Sequence, residues 1–195
     1  MGALVVAGLV GLTQVSGEAP ADSLVVVVLE TELGEIEIAV EVGRAPVTSE
    51  NFLAYLDAGL YENGTFYRTV RADNQPNDAV RIAVIQGGMD RSRRAEGRDP
   101  IRMEGTGETG LRHEDGTISM ARSGPDTAGA EFFICVGPQP ELDEGGRRNP
   151  DGRGFAAFGR VTRGMDVVRA INALPAQGQS LDPPVRILGV RRIGG

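Results

Sequence analysis

Segments in which apolar and polar side chains alternate recur along this chain, and two stretches switch to the longer spacing of a helix. Leu24 to Glu30 and Leu33 to Glu41 predict a hairpin. In its second arm Ile36, Ile38 and Val40 alternate with Glu35, Glu37 and Ala39, so one face is apolar and the other acidic and wet. Further strands are expected over Thr65 to Val70, Val80 to Gln86, Thr117 to Ala121, Glu131 to Val136, Phe155 to Val161 and Val185 to Ile193, the last suited to pair with the first. The run Phe132 to Val136 is apolar without interruption, which fits a strand covered on both faces, and at least one of Phe132 and Phe133 must then face away from the main core. Such a ring is either covered by a loop or left as the floor of an apolar pocket.

A helix is predicted to open at Ala45-Pro46, where the missing N–H of proline goes unused, and to end at Gly59, with Phe52, Tyr55 and Leu56 at helical spacing. A second runs from Gly164 to Leu174, with Met165, Val168 and Ile171 on one face, and stops at Pro175. Each would close one open end of a barrel.

The length of 195 residues suits one domain able to bury a core without metals or disulfides. A net charge of -7 argues against the basic surface that phosphate backbones require, so nucleic acid is not an expected partner. All 20 basic residues are arginine. The single cysteine, Cys135, lies inside an apolar run and reads as an inert buried hydrophobe. His113 lies beside Glu114 and Asp115 in a polar loop and is expected to face solvent; one histidine and a distant cysteine make no metal site. From Asp90 to Asp115 the charges are mixed in sign, which predicts a solvated, loop-rich stretch.

Ala3 to Leu12 is apolar but too short to span a bilayer. It fits the core of a secretory signal, with Ala19-Pro20-Ala21 or Val15-Ser16-Gly17 as cleavage contexts, although no basic residue precedes Arg44. Two readings remain: a signal directing a periplasmic or secreted protein, which is the favoured one, and a disordered hydrophobic leader kept on a cytoplasmic one. Either way residues 1–21 lie outside the fold and 22–195 form the domain.

The segment GTISMARSGPDTAGAEFFICVG, from Gly116 to Gly137, resembles the signature region of the cyclophilin family of peptidyl-prolyl isomerases. The likeness extends upstream through Ala45-Pro46-Val47, Gly59-Leu60-Tyr61, Thr65-Phe66-Tyr67-Arg68 and Gln86-Gly87-Gly88, and downstream through Leu142-Asp143, Phe158-Gly159-Arg160-Val161 and Gly164-Met165-Asp166. It covers roughly residues 24 to 193, and so many ordered motifs together are specific. Ser119-Met120-Ala121-Arg122 is similar to the bacterial branch. The resemblance implies a closed eight-stranded antiparallel β-barrel capped by two α-helices, a monomer, proline-containing polypeptides as partners, and no cofactor.

Rotation about an X-Pro amide breaks no covalent bond, so its catalysis needs no nucleophile or metal. It needs an apolar pocket for the proline ring and a donor that reaches the amide nitrogen as resonance is lost. Arg68 is the candidate donor, Gln86 can hold the substrate backbone, and Phe133 with Leu142 can form the pocket; the resemblance assigns those positions to the same roles. It also places Ala83, Val84, Ala121, Arg122, Ser123, Glu131 and Phe155 in the groove. Several depart from the family pattern. Ala83 stands where an aromatic floor is usual, Val84 replaces a larger apolar residue, Glu131 replaces a glutamine, Glu141 stands where an aromatic is common, and Phe155 replaces a histidine or tyrosine. An ionised Glu131 near Arg68 would either orient the guanidinium or occupy its donors. The polar loop Arg71 to Asp78 is longer than the family pattern and is either an added substrate contact or a surface excursion. Three functional readings follow: an isomerase, which leads, a proline-segment-binding or chaperone-like module with decayed catalysis, and a structural barrel whose Arg68 is paired with Glu131 or another acid.

Overall fold

The structure, a computed structural model, describes residues 23–193. The leader segment of residues 1–21 lies outside the described residues. In chain order the elements are β1 (Val25–Thr31), β2 (Gly34–Val40), α1 (Pro46–Asp57), β3 (Thr65–Val70), β4 (Val84–Gly88), α2 (Thr106–Thr109), β5 (Thr117–Met120), β6 (Phe132–Cys135), β7 (Ala156–Arg163), α3 (Met165–Ala173), β8 (Ala176–Gln177) and β9 (Ser180–Ile193). The strands pair antiparallel in the order β1-β2-β7-β5-β6-β4-β3-β9, and β1 pairs β9 again, closing an eight-stranded barrel. The two-residue β8 is a flap paired only to the start of β9.

Alternation along each strand sends one set of side chains inward. Val27, Leu29, Ile36, Ile38, Phe66, Ile85, Ile118, Phe132, Ile134 and Phe158 fill the interior and are fully buried. Phe132 sits at the centre, meeting Phe52, Tyr61 and Phe66 edge-on at centroid distances of 5.7, 5.4 and 5.8 Å, the orientation that ring quadrupoles favour. Helix α3 packs where β2 begins: a Cβ on Gly34, whose φ of +133° suits the hairpin turn, would meet Val167 at 2.9 Å. Helix α1 follows the far end of β2 and places Phe52 and Tyr55 over the interior, so the two helices close opposite ends.

The sequence places a strand over Val80 to Gln86, whereas β4 starts only at Val84. Gln75, buried in the preceding loop, accepts from the Ile82 amide and donates to the Ile82 and Arg71 carbonyls, which satisfies this backbone without a neighbouring strand.

The charged stretch from Asp90 to Asp115 is also less solvated than its composition suggests. Met103, Glu104, Thr106 and His113 are buried. Helix α1 has Ala45 at its N-cap and no side-chain cap of its own. Glu104 supplies one from 56 residues away: its carboxylate accepts from the Thr48 amide and hydroxyl, both at 2.7 Å, and from the Val47 amide at 3.2 Å. A negative charge at a helix start also opposes the positive end of the macrodipole. Glu104→Ala would leave these donors unpaired, and chemical denaturation should show a loss of about 2 kcal/mol. An unchanged midpoint would remove the cap assignment.

Candidate functional site

Strict alternation would put Phe66 and Arg68 on the same side of β3. Instead the register with β4 runs Phe66 to Gly87 and then Arg68 to Gln86, so Tyr67 is an extra residue and the strand is bulged. The bulge changes the phase, leaving Phe66 inside while Arg68 and Val70 face outward. Across the neighbouring strands Arg68 pairs with Gln86, Gln86 with Phe133, and Phe133 with Ser119, which forms one row on the outer wall.

Outside that wall Val70, Ile82, Val84, Phe133, Cys135 and Leu142 form a second apolar cluster, with Ala121 and Phe155 packed against it. They leave a hollow of about 230 Å³ that Arg68 and Gln86 also line. Phe155 meets Phe133 edge-on at 5.2 Å, and the turn Pro140–Leu142 brings in Leu142. Arg68 is half-buried, and no carboxylate lies within ion-pair distance of it among the described residues. Its Nη1 donates to Gln86 Oε1 at 2.7 Å, and its Nε and Nη2 donate to Gln179 Oε1 at 2.9 and 2.5 Å. Three of roughly five guanidinium N–H groups are thus used, and about two remain. Burial, and then the nearby Arg148, lower the Arg68 pKa. An arginine starts so high that it stays charged. Gln86 donates in turn to the Tyr67 hydroxyl at 2.7 Å.

A second cavity of about 580 Å³ adjoins the first and shares Gln86, Ala121 and Arg122 with it. Ser123 and Glu131 line this second space and not the apolar hollow. Arg122 forms the divide: it donates to the Gly154 carbonyl, pairs with Asp151 through two bonds of 2.7 and 2.9 Å, and stacks on the Phe155 ring. The two Arg122 bonds, and then one from the Arg153 amide, bring the Asp151 pKa down to about 2.

The profile described as cyclophilin type peptidyl-prolyl cis-trans isomerase/CLD matches residues 26–192. The chain belongs to the cyclophilin family. It is 35% identical over 155 residues to peptidyl-prolyl cis-trans isomerase A of Dickeya dadantii, covering 77% of this chain and 73% of that one. To a peptidyl-prolyl cis-trans isomerase of Acinetobacter baylyi it is 31% identical over 195 residues, covering 97% and 93%. Among solved structures, a cyclophilin type peptidyl-prolyl cis-trans isomerase of Cryptosporidium parvum shares the fold, with a TM-score of 0.71, 21% identity and coverage of 89% and 99%.

Within this cyclophilin barrel most of the residues expected from sequence converge. Arg68, Gln86, Val84, Ala121, Arg122, Phe133, Leu142 and Phe155 line the apolar hollow. Ala83 lines neither cavity. The chain before Val84 is irregular, the Ala83 amide is held by Gln139 Oε1 at 3.1 Å, and Ile82 supplies the wall in its place. Glu131 does not reach Arg68, so it neither orients the guanidinium nor occupies its donors. Glu141 is turned to solvent in an ion pair with Arg147.

His113 corrects the expectation of a solvent-facing histidine. It is buried, with Nδ1 2.8 Å from Asp143 Oδ1, Nε2 3.0 Å from Ser119 Oγ, and its ring stacked on Phe133 at 5.9 Å. It thus braces the pocket floor from beneath. Burial would raise the Asp143 pKa, but the hydrogen bonds from the His113 ring and amide outweigh it and hold the carboxyl below its usual range.

Sequence reasoning also missed Gln179, Arg148 and Asn149. Gln179 belongs to the turn into β9, and the other two to the irregular connection before β7, where no periodicity marks them. Arg148 is held by the Val80 carbonyl at 2.6 Å and by Asp78 of the long polar loop at 3.3 Å. That loop therefore touches the site through Arg148.

Gly88 leaves room for the Glu131 carboxyl, since a Cβ there would lie 2.5 Å from Oε2. That oxygen is buried without a hydrogen-bond partner among the described residues. Burial raises the Glu131 pKa, against the lowering effects of Tyr67, Arg91 and Arg94. A carboxyl whose folded pKa lies above its unfolded value favours the fold fully below about pH 4 and loses that contribution as pH rises through the folded pKa. Glu131→Gln should therefore raise Tm near pH 7, and the gain should shrink toward about pH 4. A lower Tm at neutral pH would contradict this.

Proposed function

We propose that this cyclophilin is a peptidyl-prolyl cis-trans isomerase acting on exposed X-Pro bonds of folding or newly exported polypeptides. The observation that carries the reading is a charged guanidinium, held only by neutral amide oxygens, beside an apolar hollow wide enough for a proline ring. The barrier to rotation of about 18–20 kcal/mol is the loss of amide resonance. As the bond twists, the nitrogen gains a lone pair that the planar amide lacks. A donor fixed beside that nitrogen bonds the twisted state and not the ground state, so it lowers the barrier and not merely the Kd.

The parts divide the work. Phe133, Leu142, Val84 and Phe155 hold the ring by burial, Gln86 fixes the backbone on one side of the bond, and Arg68 keeps unused N–H groups for the nitrogen. A carboxylate on Arg68 would compete for those donors; two glutamines position it without neutralising it. The absence of Glu131 from this contact favours the enzyme over the binding-only module, whose case depended partly on that competition. The apolar run Ala3 to Leu12 supports a periplasmic or secreted setting.

Arg68→Ala should reduce the enhancement of cis/trans exchange in a proline peptide by about 10²–10³, with little change in Tm because the side chain is half-exposed. Exchange spectroscopy by NMR measures this directly. Equal exchange with the wild type and the variant would reject the catalytic role. Peptide binding by the wild type without faster exchange would select the binding module instead.

A further inference from the structure

The larger cavity beside the proline hollow carries an unusual charge. Arg91, Arg94 and Arg98 line it, and none of the three is within ion-pair distance of a carboxylate among the described residues. The chain as a whole is acidic, at -7, and most of its arginines are paired. The contrast is sharpest within one turn: Arg93, between two of them, forms a two-bond pair with Glu96 at 2.9 and 2.7 Å, while Arg91 and Arg94 line the cavity.

Their backbone is anchored. Asp90 accepts from the Ser92 amide at 2.9 Å, the Tyr55 hydroxyl accepts from the Arg98 amide at 2.7 Å, and Arg91 stacks on Tyr67 at 4.3 Å. Glu131 contributes at most one negative charge to the same space, and Arg122 is already neutralised by Asp151. Three guanidinium groups outside any ion pair, two of them within electrostatic reach of Glu131, therefore leave the cavity positive by about two charges or more, which attracts anions against the sign of the whole protein.

We propose that this cavity receives an acidic side chain of the substrate, two or three residues from the proline, and that Arg91, Arg94 and Arg98 make this enzyme selective for acidic proline segments. The inference rests on the isomerase reading of the adjoining hollow. The two spaces share Gln86, Ala121 and Arg122, so one extended peptide can enter both; two residues of extended chain span roughly 7 Å. Arginine suits the task because its planar fork binds carboxylates through two bonds.

The test compares otherwise identical proline peptides carrying Glu, Gln or Lys two residues before, or two residues after, the proline. In low salt the Glu peptide in one of the two placements should be accelerated about two- to fivefold more per enzyme than the Gln peptide, with the Lys peptide slowest. The advantage should shrink at about 0.5 M salt. Arg94→Gln and Arg91→Gln should each bring the Glu-to-Gln ratio toward one. Equal acceleration of Glu and Gln peptides in both placements, or a preference for Lys, would overturn the proposal. If none of the peptides, the Glu ones included, is accelerated, the isomerase reading fails on its own account. Titration calorimetry of the same Glu and Gln peptides then decides the acidic preference by affinity: tighter Glu binding supports it, and equal binding overturns it.

Discussion

One extra residue in β3 determines which side of the wall carries Arg68. A closed sheet has two faces with different fates: the inner one must be filled, and the outer one is free wherever no loop covers it. Phe66 is committed to the inner face by its packing on Phe132. Without a change of phase Arg68 would follow it inward, where an unpaired guanidinium would be prohibitive to bury. The bulge at Tyr67 lets one short strand serve both demands.

Once Arg68 faces out, its surroundings keep it available. The contacts that orient it come from two side-chain amides, which have acceptor strength without charge. Carboxylates are plentiful elsewhere: Arg44, Arg93, Arg122, Arg147 and Arg192 all pair with one. In a chain without lysine, the difference between an occupied and an unoccupied guanidinium is made by the neighbours and not by the residue type. The same contrast separates Arg91 and Arg94 from Arg93 along a single turn.

The sequence was most informative where local pattern and tertiary role coincide. The β2 alternation, the helix start at Pro46, and the paired phenylalanines with one turned outward all appear as their spacing suggests, because burial on one face dictates them. Arg68, Gln86, Phe133 and Leu142 were legible through ordered motifs. What could not be read depends on contacts distant in sequence. Glu104 looks like one charge in a mixed run, yet it caps a helix 56 residues away. His113 sits between polar neighbours, and only the approach of Asp143 and Ser119 makes its burial affordable. Ala83 was placed in the groove by the resemblance, but the backbone before Val84 is irregular, held through buried Gln75, and Ala83 lines neither cavity.

Gln179 gives the site an adjustable support. It lies in the tight connection between the flap strand β8 and β9, outside the eight staves that enclose the core, and Asn74 ties that connection to the long polar loop by accepting from Gln179 through its carbonyl and donating to the Gly178 carbonyl. The cation is consequently aimed from a peripheral hairpin. Insertions or substitutions in that hairpin can retune the reach of the guanidinium over evolutionary time while every interior aromatic ring keeps its place.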